Sequence, residues 1–449
     1  MSQRGDGAVV CGASMAGLLA ARVLSEFYAS VTVVERDVLL EAATPRRGVP
    51  QARHLHQLLS RGSMILSELF PGLFDDLLAA GANVIDDPSL AYIGVGDHVL
   101  VQHGHFANPE EMLVYSVSRP LLEAQARQRV QAIENVTLLD GHDVVEPILG
   151  HADRVTAVRV VSRETKQERT LAADLVLDAT GRSARTPAFL QTHGYPRPRE
   201  QTYAVNLSYT SQTLRMPNGS FGEKVVVVAP TIERSTGAGI LAYEEDTAVL
   251  TLIGVAGKKL PADLPGLLSS AAGLLPPRIT AALRAAEPLG EVSAQHYPAS
   301  VWRRYDKLAR FPKGLLVIGD AVCSLNPVYG QGMTSAALQA KVLRQCLAAN
   351  SADDVGRRYF ATAAKRLAPM WQANRINDFA VAPADGWRSI PQRLLNWHTD
   401  KVMAAAADDI VLTEAFMRVL QLLDPPVGLL RPALSMRVIT GNRRRSRCG

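Results

Sequence analysis

The feature that most restricts the fold of this chain lies near its N-terminus, where the apolar run Ala8-Val9-Val10-Cys11 leads into Gly12-Ala13-Ser14-Met15-Ala16-Gly17. Four consecutive apolar residues suit a strand covered on both faces, as in a parallel sheet. Residues 18–27 follow with Leu18, Leu19, Ala21, Val23 and Leu24 at helical spacing, and Val31-Thr32-Val33-Val34 is a second buried strand ending at Glu35. Strand, tight turn, helix and parallel strand make a βαβ unit. In such a unit Gly12 permits the tight turn, position 14 is where backbone approaches a pyrophosphate, and Gly17 lets helix and strand pack closely. The helix N-terminus, at Met15 and Ala16, presents unpaired N–H groups and the positive dipole end to phosphate. Ser14 stands where the usual pattern has its middle glycine and is small enough to serve. Glu35 can accept hydrogen bonds from ribose hydroxyls and repels a 2′-phosphate, which favours FAD or NAD over NADP here.

Two later turns have the same character. Gly314-Leu315-Leu316-Val317-Ile318-Gly319-Asp320-Ala321 returns to a buried parallel strand, with Asp320 at its end in reach of ribitol or ribose hydroxyls. After Pro327, the stretch Gly330-Gln331-Gly332-Met333 opens a helix predicted over 334–347, whose N–H groups would face a flavin pyrimidine and stabilise negative charge on the reduced ring. In the middle of the chain Ala173-Asp174-Leu175-Val176-Leu177-Asp178-Ala179-Thr180-Gly181-Arg182 is another strand running into a turn, nonspecific alone and informative beside the other two.

The intervening pattern predicts strands near 136–140, 155–162 and 174–178, a hairpin around 155–171, and a helix capped by Ser118 with Pro120 in its first turn. From 200 to 300 alternating segments, among them Val205 to Tyr209 and Val225 to Val228, predict a separate mixed or antiparallel sheet. Residues 352–436 read as mainly helical. The division is therefore 1–200 for the first part of a dinucleotide-binding domain, 201–300 for a substrate-binding sheet, 301–350 for the resumed first domain, and 351–449 for a helical region with a basic tail.

A chain of 449 residues exceeds one ordinary core, and 47% apolar with 20% charged residues is a globular composition. A net charge of +5 implies no nucleic-acid surface, and part of it lies in Arg443, Arg444, Arg445 and Arg447, either a solvated end or a contact for acidic lipid or protein. The four cysteines form no C-x-x-C pair, and His54 and His56 stand two apart with no third ligand, so no metal site is expected. Absence of a signal-like N-terminus and of any apolar run near about 18 residues points to a cytoplasmic location, with peripheral membrane contact left open.

The order of these motifs resembles the class A flavoprotein monooxygenases of the para-hydroxybenzoate hydroxylase type, over roughly residues 7–350. The stretch from Gly319-Asp320 through Pro327 to Gly332-Met333 is its most specific part. The resemblance implies an α/β fold in which a Rossmann-like FAD-binding domain is interleaved with a mixed β-sheet substrate domain, followed by a helical C-terminal region. It also implies site roles: Glu35 and Arg36 on the adenosine ribose, Arg119 on the pyrophosphate or ribityl chain, Val144 offering backbone to adenine, Asp320 on the ribityl chain, and Gly332 and Met333 under the isoalloxazine, with the Asp178 turn serving FAD and NAD(P)H. Gly48-Val49-Pro50-Gln51-Ala52-Arg53-His54-Leu55-His56 resembles bacterial polyether epoxidases and related tailoring oxygenases, with Arg53 on the flavin side. Trp387-Arg388-Ser389-Ile390-Pro391 is similar to the tail of a flavin-halogenase signature whose first half is absent.

The activity so implied is insertion of one oxygen atom from O2 into a lipophilic or aromatic substrate, by hydroxylation or epoxidation, through a flavin C4a-hydroperoxide. No second dinucleotide fingerprint exists, so NADH or NADPH would bind transiently to supply electrons, or a separate flavin reductase would deliver them. The flavin carries the chemistry, so no catalytic side chain is assigned. Two other readings fit the same motifs: an FAD-dependent reductase of the prenyl-chain saturase type, and a lipid carrier with a vestigial nucleotide site.

Overall fold

The computed structural model describes residues 3–216, 220–349, 355–381 and 390–448. Trp387, Arg388 and Ser389 of the halogenase-like segment lie outside them, as do the side chains of Ile390, Pro391 and the terminal arginines.

Strand β1 (Gly5–Cys11), helix α1 (Met15–Leu24) and strand β2 (Tyr28–Val34) form the expected βαβ unit. β1 lies in a five-stranded parallel sheet between β2 and Leu175–Asp178; Leu315–Val317 flanks the latter and Val136–Leu139 flanks β2. Val9, Val10, Val33, Val176, Leu177, Leu316 and Val317 are all buried, as a sheet covered on both faces requires. Cys11 is in register with Asp178 and with Val34, and Asp178 with Val317. The three glycine-bearing turns therefore leave neighbouring strands at the same edge, which is where open α/β sheets bind ligands.

Val155–Ser162 and Glu168–Ala172 form the predicted hairpin, joined by His142–Leu149. Ser118 caps the helix Arg119–Gln131, accepting from Leu121 N at 3.3 Å.

A second sheet of eight strands runs in the order Cys323–Ser324, Glu287–Arg303, Glu200–Arg215, Thr247–Gly254, Thr236–Ala242, Val225–Val228, Ala91–Val95, His98–Val99. It is not confined to 201–300. Ala91–Val95 pairs parallel with Val225–Val228, and Cys323–Ser324 pairs with Glu287–Arg303. Segments from the dinucleotide-binding half thus cover both sheet edges, which would otherwise stand open. The strand Glu287–Arg303 escaped the sequence reading because Pro288, Gly290 and Pro298 break its alternation. Its partner bears irregularities between Ala204 and Leu207 and between Ser211 and Thr213.

The C-terminal region is helical, with Val355–Val381, Ile390–Ala406, Ile410–Leu420 and Pro432–Cys448. Its last part has a small core of Val402, Met403, Leu412, Phe416 and Val438 beside Leu100. Among the described residues no helix is long and apolar enough to cross a membrane.

Candidate functional site

The first turn is built so that only glycine fits at its two ends. Gly12 has φ +108°, and a Cβ there would stand 2.8 Å from the Ala179 carbonyl oxygen; a Cβ on Gly17 would stand 1.8 Å from the Gly12 oxygen. Position 14 is different. Ser14 has φ −86° and ψ −179°, extended backbone open to any residue. Its hydroxyl does not cap α1. Instead it donates to Glu123 Oε2 at 3.1 Å and accepts from Arg119 Nη2 at 3.0 Å. The first-turn N–H groups of α1, which have no carbonyl inside the helix, are left for an anion.

Hydrogen bonds stitch the turns together: Gly12 N to Val34 O at 2.8 Å, Ala179 N to Cys11 O at 2.9 Å, and Ile318 N to Asp178 O at 2.9 Å. All three turns line one cavity of about 2300 Å³. Gly12, Ser14, Met15 and Ala16 line it, as do Glu35, Arg36 and Val144. Arg119, Asp178, Asp320, Gly330, Gly332 and Met333 complete the expected set. Two expected residues do not line it. Gly17 packs beneath Gly12, as a closely packed helix and strand require. Arg53 is exposed at the end of the short turn Pro50–Arg53, and the chain then extends so that the His54 ring, not the guanidinium, turns inward.

The acidic residues divide by what they have left to offer. Glu35 is buried and engaged: it accepts from Ala13 N at 2.8 Å and Asp37 N at 3.1 Å, and pairs with Arg46 at 3.1 Å. Arg46 also pairs with Asp37 at 3.4 Å and Glu123 at 2.6 Å and donates to Ala13 O at 3.0 Å. Burial would pull the Arg46 guanidinium down, but Glu123 and Glu35 outweigh it and keep it charged. Asp178 spends its carboxylate on its own turn, accepting from Thr180 N at 2.9 Å, Thr180 Oγ1 at 2.5 Å and Thr186 Oγ1. Asp320, by contrast, receives no hydrogen bond from the described residues. Burial raises its pKa, with Arg182, Arg119 and Arg303 pulling the other way. It is the acid at this edge most available to a ligand hydroxyl.

Beyond these turns the cavity runs under the eight-stranded sheet, where Val205, Val225, Val227, Ile253 and Val255 face it. The His54 ring meets Ser211 Oγ at 2.8 Å, and that hydroxyl meets Thr251 Oγ1 at 2.7 Å. His56 Nδ1 lies 2.9 Å from the His54 carbonyl. Burial first, then Arg53 for His54 and Arg119 for His56, pushes these rings down to about 4 and about 3, so both are neutral. Among the described residues no His/Cys/Asp/Glu group could hold a metal ion.

A further polar cluster sits where the helix Val355–Val381 meets the 326–330 turn. Asp378 Oδ1 accepts from Asn326 Nδ2 and from the Tyr329 hydroxyl, each at 2.7 Å. Among the described residues, Asp378 Oδ2 and the Tyr209 hydroxyl are buried without a hydrogen bond, and the buried Tyr203 hydroxyl stands close to Asp378 without a well-aligned one. Burial raises the Asp378 pKa against the pull of Tyr329, Asn326 and Tyr203.

Residues 7–376 match the FAD binding domain family. The chain belongs to that family. It is 44% identical over 433 residues to the protein Rv3254 of Mycobacterium tuberculosis, spanning 93% of this chain and 90% of that one. Its fold is similar to that of PqsL, a probable FAD-dependent monooxygenase from Pseudomonas aeruginosa (TM-score 0.63, 16% identity, 85% of this chain and 97% of that one). It is likewise similar to the flavin-dependent brominase Bmp2 (TM-score 0.65, 14% identity, 98% and 100%) and to p-nitrophenol 4-monooxygenase PnpA from Pseudomonas putida (TM-score 0.64, 15% identity, 94% and 97%). The resemblance to class A flavin monooxygenases thus extends to the fold, and the family is one of FAD-binding proteins.

The residues present suit FAD. An uncapped helix N-terminus beyond a glycine turn, a free carboxylate at Asp320 and a long cavity match a pyrophosphate, a polyol chain and a ring system. A pocket for one small ligand occupies about 300–1,000 Å³, so the cavity leaves room for a substrate beside the dinucleotide. The sequence reading missed Arg46 and Asp378. Arg46 stands in a loop without a motif, and only its three carboxylate neighbours reveal its task. Asp378 gave no signal, because its partners Asn326 and Tyr329 are distant in sequence.

Proposed function

We propose that this chain uses FAD to place one oxygen atom of O2 on a lipophilic organic substrate, by hydroxylation or epoxidation. One observation carries the reading: turns at 12–17, 178–181 and 319–333 line a single cavity that continues into an apolar chamber under the second sheet. In this reading Met15 and Ala16 at the α1 N-terminus, with Arg119, hold the pyrophosphate. Glu35 and Arg36 lie at the adenosine ribose, Val144 backbone at adenine, Asp320 at the ribityl chain, and Gly330, Gly332 and Met333 beside the isoalloxazine. When bound and reduced, FAD supplies the electron pair that sends one oxygen atom to substrate and the other to water.

The chain supplies position, dryness and proton management. The apolar wall of Val205, Val225, Val227, Ile253 and Val255 excludes water. Tyr329 lines the cavity with its hydroxyl bonded to Asp378, and this pair is the proton-holding partner for a polar end of the substrate, at the Tyr329 Oη. Electrons come from NADH or NADPH, or from a partner reductase. Gln51, His54, Leu55 and His56 of the wall belong to the segment similar to polyether epoxidases, and that resemblance favours a lipophilic or polyketide-like substrate.

The test is oxygen accounting on FAD-loaded protein with NADH or NADPH, or with a flavin reductase. A true substrate should lower hydrogen peroxide released per O2 consumed and take up one oxygen atom from ¹⁸O2. Peroxide release matching O2 consumption across a panel of apolar alkenes and aromatics would sink the oxygenase reading. A reduced flavin stable in air would select the saturase-type reductase, which the apolar chamber also suits.

A further inference from the structure

The last forty residues carry a feature that their own small core does not account for. Helix Ile410–Leu420, the turn Pro426–Leu430 and helix Pro432–Cys448 pack around Leu412, Phe416 and Val438. That core explains the inward apolar side chains. It does not explain Val427, Leu430, Met436 and Ile439, which are 68%, 52%, 61% and 46% exposed. Scattered surface apolar residues are ordinary, but these four fall close together in sequence, on a turn and a helix that pack against each other, and such clustering marks an interaction site. The last helix is apolar on two sides: Val438 faces the core, whereas Met436 and Ile439 share the outer face.

Charge says what covers this face. Residues 410–449 contain seven arginines and no lysine, against only Glu414 and Asp424. This surplus of five equals the net charge of the whole chain, so the other residues are balanced among themselves. Two of the seven are paired within the fold, Arg418 with Glu111 and Asp424 at 2.6 and 2.9 Å and Arg437 with Asp409 at 2.7 Å, which leaves Arg431 and the four arginines of 443–447 to carry the positive charge. A second copy of the chain would bring the same positive surplus against itself. The face is also continuous with the site, since Leu420, Val427 and Leu430 line the cavity.

We propose that this face docks on an anionic lipid surface. The apolar side chains lie in the boundary between headgroups and acyl chains, the arginines lie against lipid phosphates, and the cavity mouth opens onto the bilayer. The docking does not depend on the oxygenase reading, although a lipophilic substrate would give it a purpose.

Cosedimentation of the FAD-loaded chain with vesicles tests it. Vesicles of phosphatidylcholine containing phosphatidylglycerol should bind at least about tenfold more protein than phosphatidylcholine alone, with binding weakening as salt rises. The double variant M436E/I439E should lose about tenfold of that binding while keeping its melting temperature and flavin absorbance, because both side chains are exposed and neither lines the cavity. Replacing Arg443, Arg444, Arg445 and Arg447 by Gln should lower binding and flatten its salt dependence. Equal binding to both vesicle types, no binding to either, or unchanged binding of M436E/I439E would overturn the proposal. So would a dimer in sedimentation velocity that M436E/I439E abolishes, which would make a second copy the occupant. Flavin retention is read on the same samples, so its failure would count against the FAD site and not against docking.

Discussion

Two buried polar clusters border the cavity, and they are constructed differently. Around the first turn, Ser14, Glu35, Asp37, Arg46, Arg119 and Glu123 satisfy one another: each carboxylate meets an arginine, a backbone N–H or both. Around the 326–330 turn, Asp378 answers Asn326 and Tyr329 with one oxygen, while among the described residues its other oxygen and the neighbouring Tyr203 and Tyr209 hydroxyls form no well-aligned bond. A fully satisfied buried network rigidifies what it touches, whereas a partly satisfied one costs stability and persists where a ligand or a reaction uses it. The first cluster therefore reads as scaffold for a fixed cofactor, and the second as part of the working surface.

The scaffold side should break hardest. In Gly17→Ala a methyl group would have to occupy space 1.8 Å from the Gly12 carbonyl oxygen, an atom of the backbone that no side-chain rotation can move aside. The turn cannot yield without moving β1 or α1. The expected cost exceeds about 5 kcal/mol, comparable to the whole stability of a domain. Expression should give little folded protein, and what folds should carry no flavin. A yellow, normally melting Gly17→Ala protein would remove the turn from the site.

Arg46→Ala comes next. One guanidinium serves Glu35, Asp37 and Glu123, all buried, and its removal leaves carboxylates with too little compensation. Breaking a buried pair from one side costs about 3–5 kcal/mol, read as a fall in urea midpoint at pH 7. A variant as stable as the parent would show that the cluster is not the rigid member of the comparison.

The same contrast explains what the sequence disclosed. The parallel sheet was legible because Val9, Val10, Val176, Leu316 and their neighbours are covered on both faces, which leaves uninterrupted apolar runs. Gly12, Gly17 and Asp320 were legible because local backbone and strand-end geometry fix their identity. The long strand Glu287–Arg303 was not, since its prolines and Gly290 hide the alternation, and Ala91–Val95 joins its sheet only through tertiary pairing. Asp178 and Glu35, expected at the ends of their strands, both line the cavity, but their hydrogen bonds to Thr180, Thr186 and Ala13 follow from packing and not from spacing. Asp378 and Arg46 were out of reach altogether, because a salt bridge or hydrogen bond across distant segments leaves no periodic trace.

His54 offers an intermediate effect that appears only in acid. Its pKa falls from an unfolded value of 6.5 to about 4 in the folded chain, mainly through burial. The folded state thus binds fewer protons than the unfolded one across that interval. Its contribution is intact above pH 6.5 and is lost as pH falls towards 4, by at most on the order of 3 kcal/mol. His56, pushed down to about 3, adds in the same direction. Urea midpoints measured between pH 7 and pH 4.5 should decline, and His54→Asn should make the decline shallower. A parallel decline in both proteins would place the acid sensitivity elsewhere.

Asp378→Asn should change stability least and is the sharpest test of the comparison. Because burial raises its pKa, the Asp378 carboxylate in the folded chain is penalised as pH rises above 3.8, the opposite sense to a paired acid. Asparagine keeps an acceptor for Asn326 and Tyr329 and removes the charge that burial opposes. At pH 7 the variant should match the parent within about 1 kcal/mol or exceed it. Its turnover of an apolar substrate should nevertheless fall, and any limb of the pH–rate profile belonging to the Asp378–Tyr329 pair should disappear while flavin content stays constant. If stability drops by as much as in Arg46→Ala, both clusters are scaffold. If neither stability nor the pH profile moves, the unsatisfied oxygen has no part in the working surface, and the apolar wall alone must position the substrate.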